Sequence, residues 1–343
     1  MKHIGLDVHS TTTHATVLNN RGRKILQRQI PTRECELIDF IKSIPDPKRV
    51  ALEESQVSDF VTRMLEPYTE EIIRCQPQHN RLISASEDKC DITDSYNLAE
   101  LLYLNKLKPV HHPGWMYRQL REGVRSYWTS SRDLTQVKNR LKAFYLYNGI
   151  QCQGTKVYSK RTRKHFVECF ERRSGNLLLL QLHYQNLDFC SEKKTRHVLL
   201  LRELAKPFQD DVSRLKSIPG IGSIGAYTLL AYLENGWRLP NKRKLWQYCG
   251  IGVRKHESNG KGHRGASRKG NRHLKNVLMT AATTIAARRR SDNALAWHWH
   301  ARKDAGISSD RLRRDTARKI AVLAQYILRF KEPYDDERII TTR

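Results

Sequence analysis

The sequence has little that suits a membrane or secreted protein. None of its apolar runs reaches 18 residues, so we expect no transmembrane helix. The first residues, MKHIGLD, lack the apolar core of a signal peptide. The seven cysteines are scattered and odd in number, which argues against a disulfide framework or a zinc site. We therefore expect a cytoplasmic protein with reduced thiols and no membrane partner.

Acidic residues are scarce relative to basic ones. The chain of 343 residues has 62 Lys and Arg against 35 Asp and Glu, a net charge of +27. A mean hydropathy of −0.66 is typical of a soluble globular protein, and the length allows two or three domains. A solvated basic surface would also carry this charge. Because the basic residues cluster locally, we favour a polyanionic partner, most often nucleic acid.

The first part of the chain alternates between strand and helix patterns. Period-two alternation and short apolar runs predict strands over 3–8, 13–18, 23–30, 49–54 and 71–77. Helical spacing predicts helices over 34–44 and 57–67. The first three strands form an antiparallel meander, and the last two are expected to be parallel. This order is typical of the ribonuclease-H-like α/β fold.

After residue 90 the pattern becomes helical. A helix is predicted over 91–104, one or two long helices over 115–148, and a long antiparallel helix or coiled coil over 176–208. A basic segment occupies 156–173. We expect a catalytic domain over 1–148, a helical coiled-coil segment over 149–208, a second domain over 209–335 and a tail over 336–343.

Four carboxylates occur where a metal site could form. Asp7 ends the first predicted strand and Glu53 ends the fourth, and these strands are neighbours in a ribonuclease-H-like sheet. Asp91 and Asp94 are three apart at a helix start, so both can face one way. Converging carboxylates repel unless a divalent cation lies between them. The four could hold one or two Mg2+ ions, with Mn2+ as a substitute, that position a phosphodiester.

Each carboxylate also has an ordinary structural explanation. Asp91 could be a helix N-cap and Asp94 a partner of the helix dipole. Glu53 could be a simple strand-end residue, and Glu54 beside it is equally good as a ligand. Asp7 is the hardest to dismiss, because a carboxylate in an apolar strand costs free energy without a partner. The combination of all four is therefore more specific than any one of them.

A second group of motifs lies in the C-terminal half. Gly220 and Gly222 in "SIPGIG" stand between two predicted helices, the helix-hairpin-helix pattern, whose backbone N–H groups can hold a DNA phosphate. A plain interhelical turn is the alternative. A glycine-rich basic loop follows over 250–276 and suits a nucleic-acid backbone. Its candidate contacts are Arg254, Lys255, Lys261, Arg264, Arg268, Lys269 and Arg272.

Two serines lie within the basic loop, Ser258 and Ser267. Basic surroundings could stabilise a serine nucleophile and bind the scissile phosphate. Alternatively, both serines are spacers in a binding loop. Composition alone does not decide between these readings.

These motifs, in this order, resemble one family. The segments carrying the resemblance are "GLD" at 5–7, "LE" at 52–53, Asp91-x-x-Asp94, "IPGIG" at 218–222 and "ES…RGAS" at 257–267. They resemble the DEDD transposases of bacterial insertion sequences, in the family numbered one hundred and ten. The resemblance runs from residue 3 to about 330.

The resemblance implies a fold and a mechanism. The N-terminal domain would be RuvC-like, a version of the ribonuclease H fold, joined by a coiled-coil segment to a transposase domain. The implied activity is RNA-guided recombination between donor and target DNA, with DEDD-bound Mg2+ and a serine that becomes linked to DNA. The family serine maps to Ser258, with Ser267 as runner-up, and a dimer or tetramer is expected on DNA.

Two rival functions remain open at this point. The first is a Holliday-junction-type endonuclease that uses four carboxylates and water without a serine. The second is a basic nucleic-acid-binding protein whose carboxylates are only helix caps. Replacing Ser258 would separate the recombinase from the nuclease, and removing Mg2+ would separate both from the binding protein.

Overall fold

A computed structural model describes residues 1–76, 91–172, 176–258, 261–266 and 270–337. The side chains of residues 91–92 and 254–266 are outside this description. The chain divides into two compact units, Met1–His112 and Pro113–Arg343. We describe each unit by itself.

The N-terminal unit contains a mixed five-stranded sheet. Its strands are β1 (Lys2–Val8), β2 (Thr12–Leu18), β3 (Lys24–Pro31), β4 (Lys48–Glu53) and β5 (Glu71–Cys75). The strand order is β3-β2-β1-β4-β5, with β1, β2 and β3 antiparallel and β1, β4 and β5 parallel. The antiparallel meander and the parallel final pair agree with the sequence prediction. This mixed sheet is compatible with a ribonuclease-H-like architecture.

Helices cover both faces of this sheet. They are α1 (Glu34–Ser43), α2 (Ser58–Leu65) and α3 (Asp91–Tyr103). Side chains alternate between the two faces of a strand, and the core divides accordingly. Ile4, Leu6 and Leu52 pack with α1 and α2. Ala51 packs with α3 in a separate cluster. Asp7 and Glu53, each two residues from a position on the α3 face, therefore belong to that face.

The C-terminal unit is mostly helical. Its helices are α4 (Trp115–Tyr147), α5 (Arg163–Glu171), α6 (Leu177–Leu204), α7 (Gln209–Lys216), α8 (Ser223–Leu233), α9 (Lys242–Tyr248), α10 (Arg272–Ala286), α11 (Ala294–Asp304) and α12 (Ser309–Phe330). Two short strands, β6 (Val253–Ser258) and β7 (Lys261–Ala266), pair as an antiparallel hairpin. Helices α7 to α12 surround one large apolar core, in which α8 is almost completely buried.

Helices α4 and α6 form a long antiparallel pair. Tyr145 near the end of α4 donates a hydrogen bond of 2.9 Å to Tyr184 near the start of α6, because Tyr184 itself donates to a backbone carbonyl. At the other end Gly123 of α4 lies against Leu204 of α6. The predicted domain boundary at 148 coincides with the end of α4, whereas the compact units meet at residues 112–113. The difference arises because α4 packs on α6 and α8.

The sequence predicted a loop over the basic segment, and the structure corrects this to the β6–β7 hairpin followed by α10. Asn259-Gly260, the dipeptide between the two strands, is the pair most favoured in two-residue hairpin turns. That signal in the sequence could have predicted the hairpin.

None of the described helices is both long enough and apolar enough to cross a membrane.

Candidate active site

Two of the four DEDD carboxylates (Asp7, Glu53, Asp91, Asp94) lie side by side in the sheet. Strands β1 and β4 are parallel neighbours, and Leu6 is in register with Leu52. The next residues, Asp7 and Glu53, therefore emerge together at the carboxyl ends of the two strands. Both belong to the face that α3 covers.

Helix α3 approaches this face unusually closely. A Cβ atom on Gly5 would collide with the backbone of Ser95 and Ala99, so only glycine allows the helix to lie directly on β1. The hydroxyl of Ser95 also makes a buried 2.9 Å hydrogen bond with the hydroxyl of Thr16 on β2. These contacts fix the first turns of α3, and with them Asp94, near the ends of β1 and β4.

The electrostatics of Glu53 reflect its burial first and the neighbouring carboxylates second. Burial raises the pKa of the Glu53 carboxyl from its ordinary value of 4.5 to about 7, and the charges of Asp7 and then Asp94 add to the rise. Like charges disfavour ionisation because each carboxylate repels the next. A divalent cation among these three groups would relieve that repulsion, and carboxylate oxygens are the donors that Mg2+ prefers.

The structure distinguishes Glu53 from its neighbour Glu54. An oxygen of Glu54 lies 3.7 Å from Arg74 Nε, and the same guanidinium contacts Asp59 at 3.1 Å. Glu54 thus takes part in an ion-pair network with Arg74, whereas Glu53 interacts electrostatically with Asp7 and Asp94. This arrangement favours Glu53 as the ligand.

Asp91 is the first residue of α3, one helical turn before Asp94. Residues three apart lie on the same face of a helix, although the side chain of Asp91 is outside the description. Within the described ranges, no three His, Cys, Asp or Glu side chains form a group able to hold a metal as they stand.

Sequence reasoning missed His9. Its Nε2 lies 3.1 Å from Oδ2 of Asp7, while its side chain is half exposed. A partner at this distance can fix the orientation of the carboxylate. A histidine two residues beyond a strand-end aspartate is visible in the sequence, but its contact depends on the turn that follows β1.

The glycine turn of the second motif joins α7 to α8. Gly220 has φ +86° and lies against Ala281 of α10, where a Cβ would come within 2.8 Å of a carbonyl oxygen. Gly222 precedes α8 as its N-cap, and a Cβ there would meet nothing within 4 Å. The N-terminus of α8 therefore has open space beside Gly222, as a backbone phosphate contact requires.

The candidate nucleophile lies on the β6–β7 hairpin. Ser258 is the last residue of β6 and pairs with Lys261 at the start of β7. Arg254 and Lys255 belong to β6 and Arg264 to β7, with only their backbone described. Ser267, Arg268 and Lys269 lie outside the described residues.

Arg272 is the first residue of α10 and lines a cavity of about 280 Å³. Asn271 caps this helix by accepting hydrogen bonds from the backbone N–H groups of His273 (2.9 Å) and Leu274 (3.1 Å). The cavity also contains Arg132 and Trp128 of α4, which sequence reasoning did not select. Their distance from Arg272 in the chain explains the omission.

Two family models match the chain, one in its N-terminal half and one in its C-terminal half. Residues 4–146 match a DEDD transposase model of the IS110 type, and residues 212–298 match the model described as transposase, IS116/IS110/IS902 family. The chain belongs to the IS110 family of DEDD transposases. The first match covers the sheet, α3 and all four carboxylates of the transposase. The second covers the glycine turn, the basic hairpin and α10.

Two curated relatives of this transposase are similar along most of their length. The transposase for insertion sequence element IS1328 of Yersinia enterocolitica is 24% identical over 296 residues, covering 83% of this chain and 84% of the relative. The transposase candidate y4pF/y4sB of Sinorhizobium fredii (strain NBRC 101917 / NGR234) is 23% identical over 306 residues, covering 86% and 76%.

Proposed function

We propose that this transposase excises and inserts its element by strand cleavage and exchange, using Mg2+ at the DEDD carboxylates and a covalent link between Ser258 and DNA. The observation that carries the proposal is that Asp7 and Glu53 end adjacent parallel strands, where Glu53 also interacts electrostatically with Asp94 of α3. Isolated helix caps or surface acids would not share one region of the sheet.

The DEDD carboxylates would hold the metal. When bound, Mg2+ stabilises negative charge on the phosphodiester. Asp7 and Glu53 come from adjacent strands, and Asp94 from the helix fixed over them, so a rigid scaffold presents their oxygens. Asp91 joins them by its place one turn before Asp94. His9 orients Asp7 through their 3.1 Å contact.

Ser258 would supply the nucleophile. Its Oγ forms a bond to phosphorus, the bond from phosphorus to the departing strand oxygen breaks, and that oxygen takes up a proton. The exchange replaces one phosphate ester by another, so the reverse reaction can reseal a new strand without an external energy source. Arg254, Lys255 and Lys261, close to Ser258 in the hairpin sequence, would neutralise the phosphate.

Sequence choice would be delegated to an RNA. The basic surface provides phosphate contacts, which position nucleic acid but carry no sequence information directly. Pairing of a structured guide RNA with donor and target DNA supplies that information. We further propose a dimer or tetramer on DNA. Purified protein without RNA should therefore fail to recombine its two sites at full rate.

The experiment that tests the chemistry is capture of the covalent intermediate. DNA stopped in mid-reaction should remain attached to the denatured protein, and mass spectrometry should locate the bond on Ser258. Ser258→Ala should remove both the adduct and strand exchange, while Ser267→Ala should retain them. A bond on Ser267 would reassign the nucleophile. Active cleavage without any adduct would indicate a nuclease that uses water.

A further inference from the structure

The C-terminal unit contains a cavity of about 440 Å³ that none of the motifs above includes. Helices α9, α11 and α12 line it, at the edge of the large core of this unit. Its volume falls in the range of sites that take small molecules or single cofactor-sized groups. Its lining combines an apolar part with several cationic side chains.

Positive charge in the cavity exceeds negative charge. Four cationic side chains line it, and Asp315 is the one carboxylate among its described lining residues. Asp315 is shared between Arg302 at 3.2 Å and Arg318 at 3.0 Å. Its charge therefore balances at most one of the cations, which are Lys242, Arg302, Arg318 and Lys319.

Lys319 is partly buried, whereas Lys242 is exposed to solvent. No hydrogen bond or ion pair joins Lys319 to any residue in the described part of the chain. Burial lowers the pKa of its ammonium group, and the nearby charge of Arg302 lowers it further, with partial opposition from Asp315. The same field lowers the pKa of His298 after burial, through Lys319 and Arg302. An anion bound here would remove this electrostatic cost.

The apolar part of the cavity is formed around Trp246. Its indole N–H donates a 3.2 Å hydrogen bond to the carbonyl of Arg318, which fixes the ring. The guanidinium of Arg318 lies 5.7 Å from the ring centroid and donates a 2.9 Å hydrogen bond to the carbonyl of Ile251. Leu295 and Leu323 complete this side. A rigid aromatic surface beside fixed cations suits a ligand that is flat and apolar at one end and anionic at the other.

We infer that this cavity holds one unstacked nucleotide of a nucleic-acid strand, with its base against Trp246 and its phosphate near Lys319 and Lys242. The inference rests on the proposal that the protein acts on nucleic acid. A base that has left its stack can stack on an aromatic ring, and its phosphodiester supplies the missing negative charge. A paired base within a duplex cannot enter such a cavity.

Photocrosslinking of the full-length protein tests this inference. The probe is a single-stranded oligonucleotide with one 5-iodo-deoxyuridine, alongside its RNA twin with 5-iodouridine and the fully paired duplex. We expect an adduct on Trp246 from a single strand and little from the duplex. The more productive of the DNA and RNA probes identifies the source of the nucleotide.

Charge variants sharpen the test. Lys319→Gln should lower the yield at Trp246 about five-fold or more. Lys303→Gln makes the same change on an exposed lysine of α11 outside the cavity and should leave the yield within about two-fold. If Lys319→Gln fails to fold, Lys242→Gln at an exposed position replaces it.

Two results would overturn the inference. The first is the absence of crosslinks at Trp246 in a protein that binds and recombines DNA. This result would show that the cavity does not bind a nucleotide, and it would leave the proposed function unchanged. The second is a yield of crosslinks at Trp246 that is the same for the single strand and the duplex. An equal yield from the Lys319→Gln variant and the wild-type protein would count in the same way. A protein that binds no nucleic acid at all would contradict the proposed function as well.

Discussion

The two compact units divide the charge of the chain very unequally. Residues 1–112 contain 15 Lys and Arg against 16 Asp and Glu, whereas residues 113–343 contain 47 against 19. The nearly neutral unit contains the four DEDD carboxylates, and the basic unit contains the glycine turn, the hairpin and the cavity beside Trp246. The net positive charge of the protein therefore comes entirely from the second unit.

The unequal distribution of charge suits two different ligands, a metal ion in the first unit and nucleic acid in the second. A metal-binding carboxylate cluster loses affinity for its ion if lysine and arginine neutralise it, whereas binding of nucleic acid needs those cations. Changes in the first unit should therefore affect strand cleavage with little effect on DNA binding. Changes in the basic unit should affect binding and its salt dependence.

The largest expected effect is on cleavage. Asp7→Asn should lower the rate of strand cleavage by about 1,000-fold or more, because it removes one charged ligand from the metal site. DNA affinity, measured by gel shift, should change less than about two-fold, because the basic unit supplies the contacts. Asp39→Asn, the same change at an exposed position on α1, is the control. An equal loss of DNA binding and cleavage in Asp7→Asn would contradict the assignment of cleavage to the first unit and binding to the second.

The next effect is on stability. Gly5→Ala should lower the free energy of unfolding by about 3 kcal/mol or more, because the added methyl group collides with backbone atoms of Ser95 and Ala99. Gly222→Ala, where the space is open, should change stability by less than about 1 kcal/mol. Chemical denaturation measures both. A tolerated Gly5→Ala would mean that α3 does not need its close approach to β1.

A third effect concerns salt. DNA affinity should fall steeply as salt increases, because binding releases counterions. Replacing Arg264, Arg268 and Lys269 together by Gln should reduce the slope of log K against log salt by up to about 3. Three exposed cations of the N-terminal unit, Arg21, Arg23 and Lys24, form the control, and their loss should leave the slope almost unchanged. If DNA affinity did not change with salt concentration, the positive charge would be a solvated surface that does not bind DNA.

The smallest effect is the pH dependence of Glu53. Its pKa is raised in the folded protein, so the stability associated with its protonated form is complete below pH 4.5 and is lost as pH rises through about 7. Glu53→Gln stays neutral and should stabilise metal-free protein by about 1–2 kcal/mol at pH 8, with little change at pH 4.5. Denaturation in the presence of a chelator measures this difference. The opposite pH trend would contradict the raised pKa of Glu53 and the burial and neighbouring charges that cause it.

Local patterns account for what the sequence could predict. The alternating residues of β1 and β2, the amphipathic α1 and the β4-α2-β5 alternation all depend on neighbours within a few positions. The placement of Asp7 beside Glu53 followed from the strand order. In contrast, α4 belongs to the second unit because of contacts with α6 and α8 that no local pattern contains. The cavity around Trp246 likewise joins three helices spread over some 80 residues of sequence.

The central claim is that Asp7 ligates the metal required for cleavage, and replacing its hard oxygen donor by sulfur tests this most directly. Asp7→Cys should be inactive with Mg2+ and recover cleavage with Mn2+, because a thiolate accepts the softer ion far better. Wild type and Asp39→Cys should cleave with both ions. An Asp7→Cys protein equally inactive, or equally active, with both ions would contradict direct coordination by Asp7.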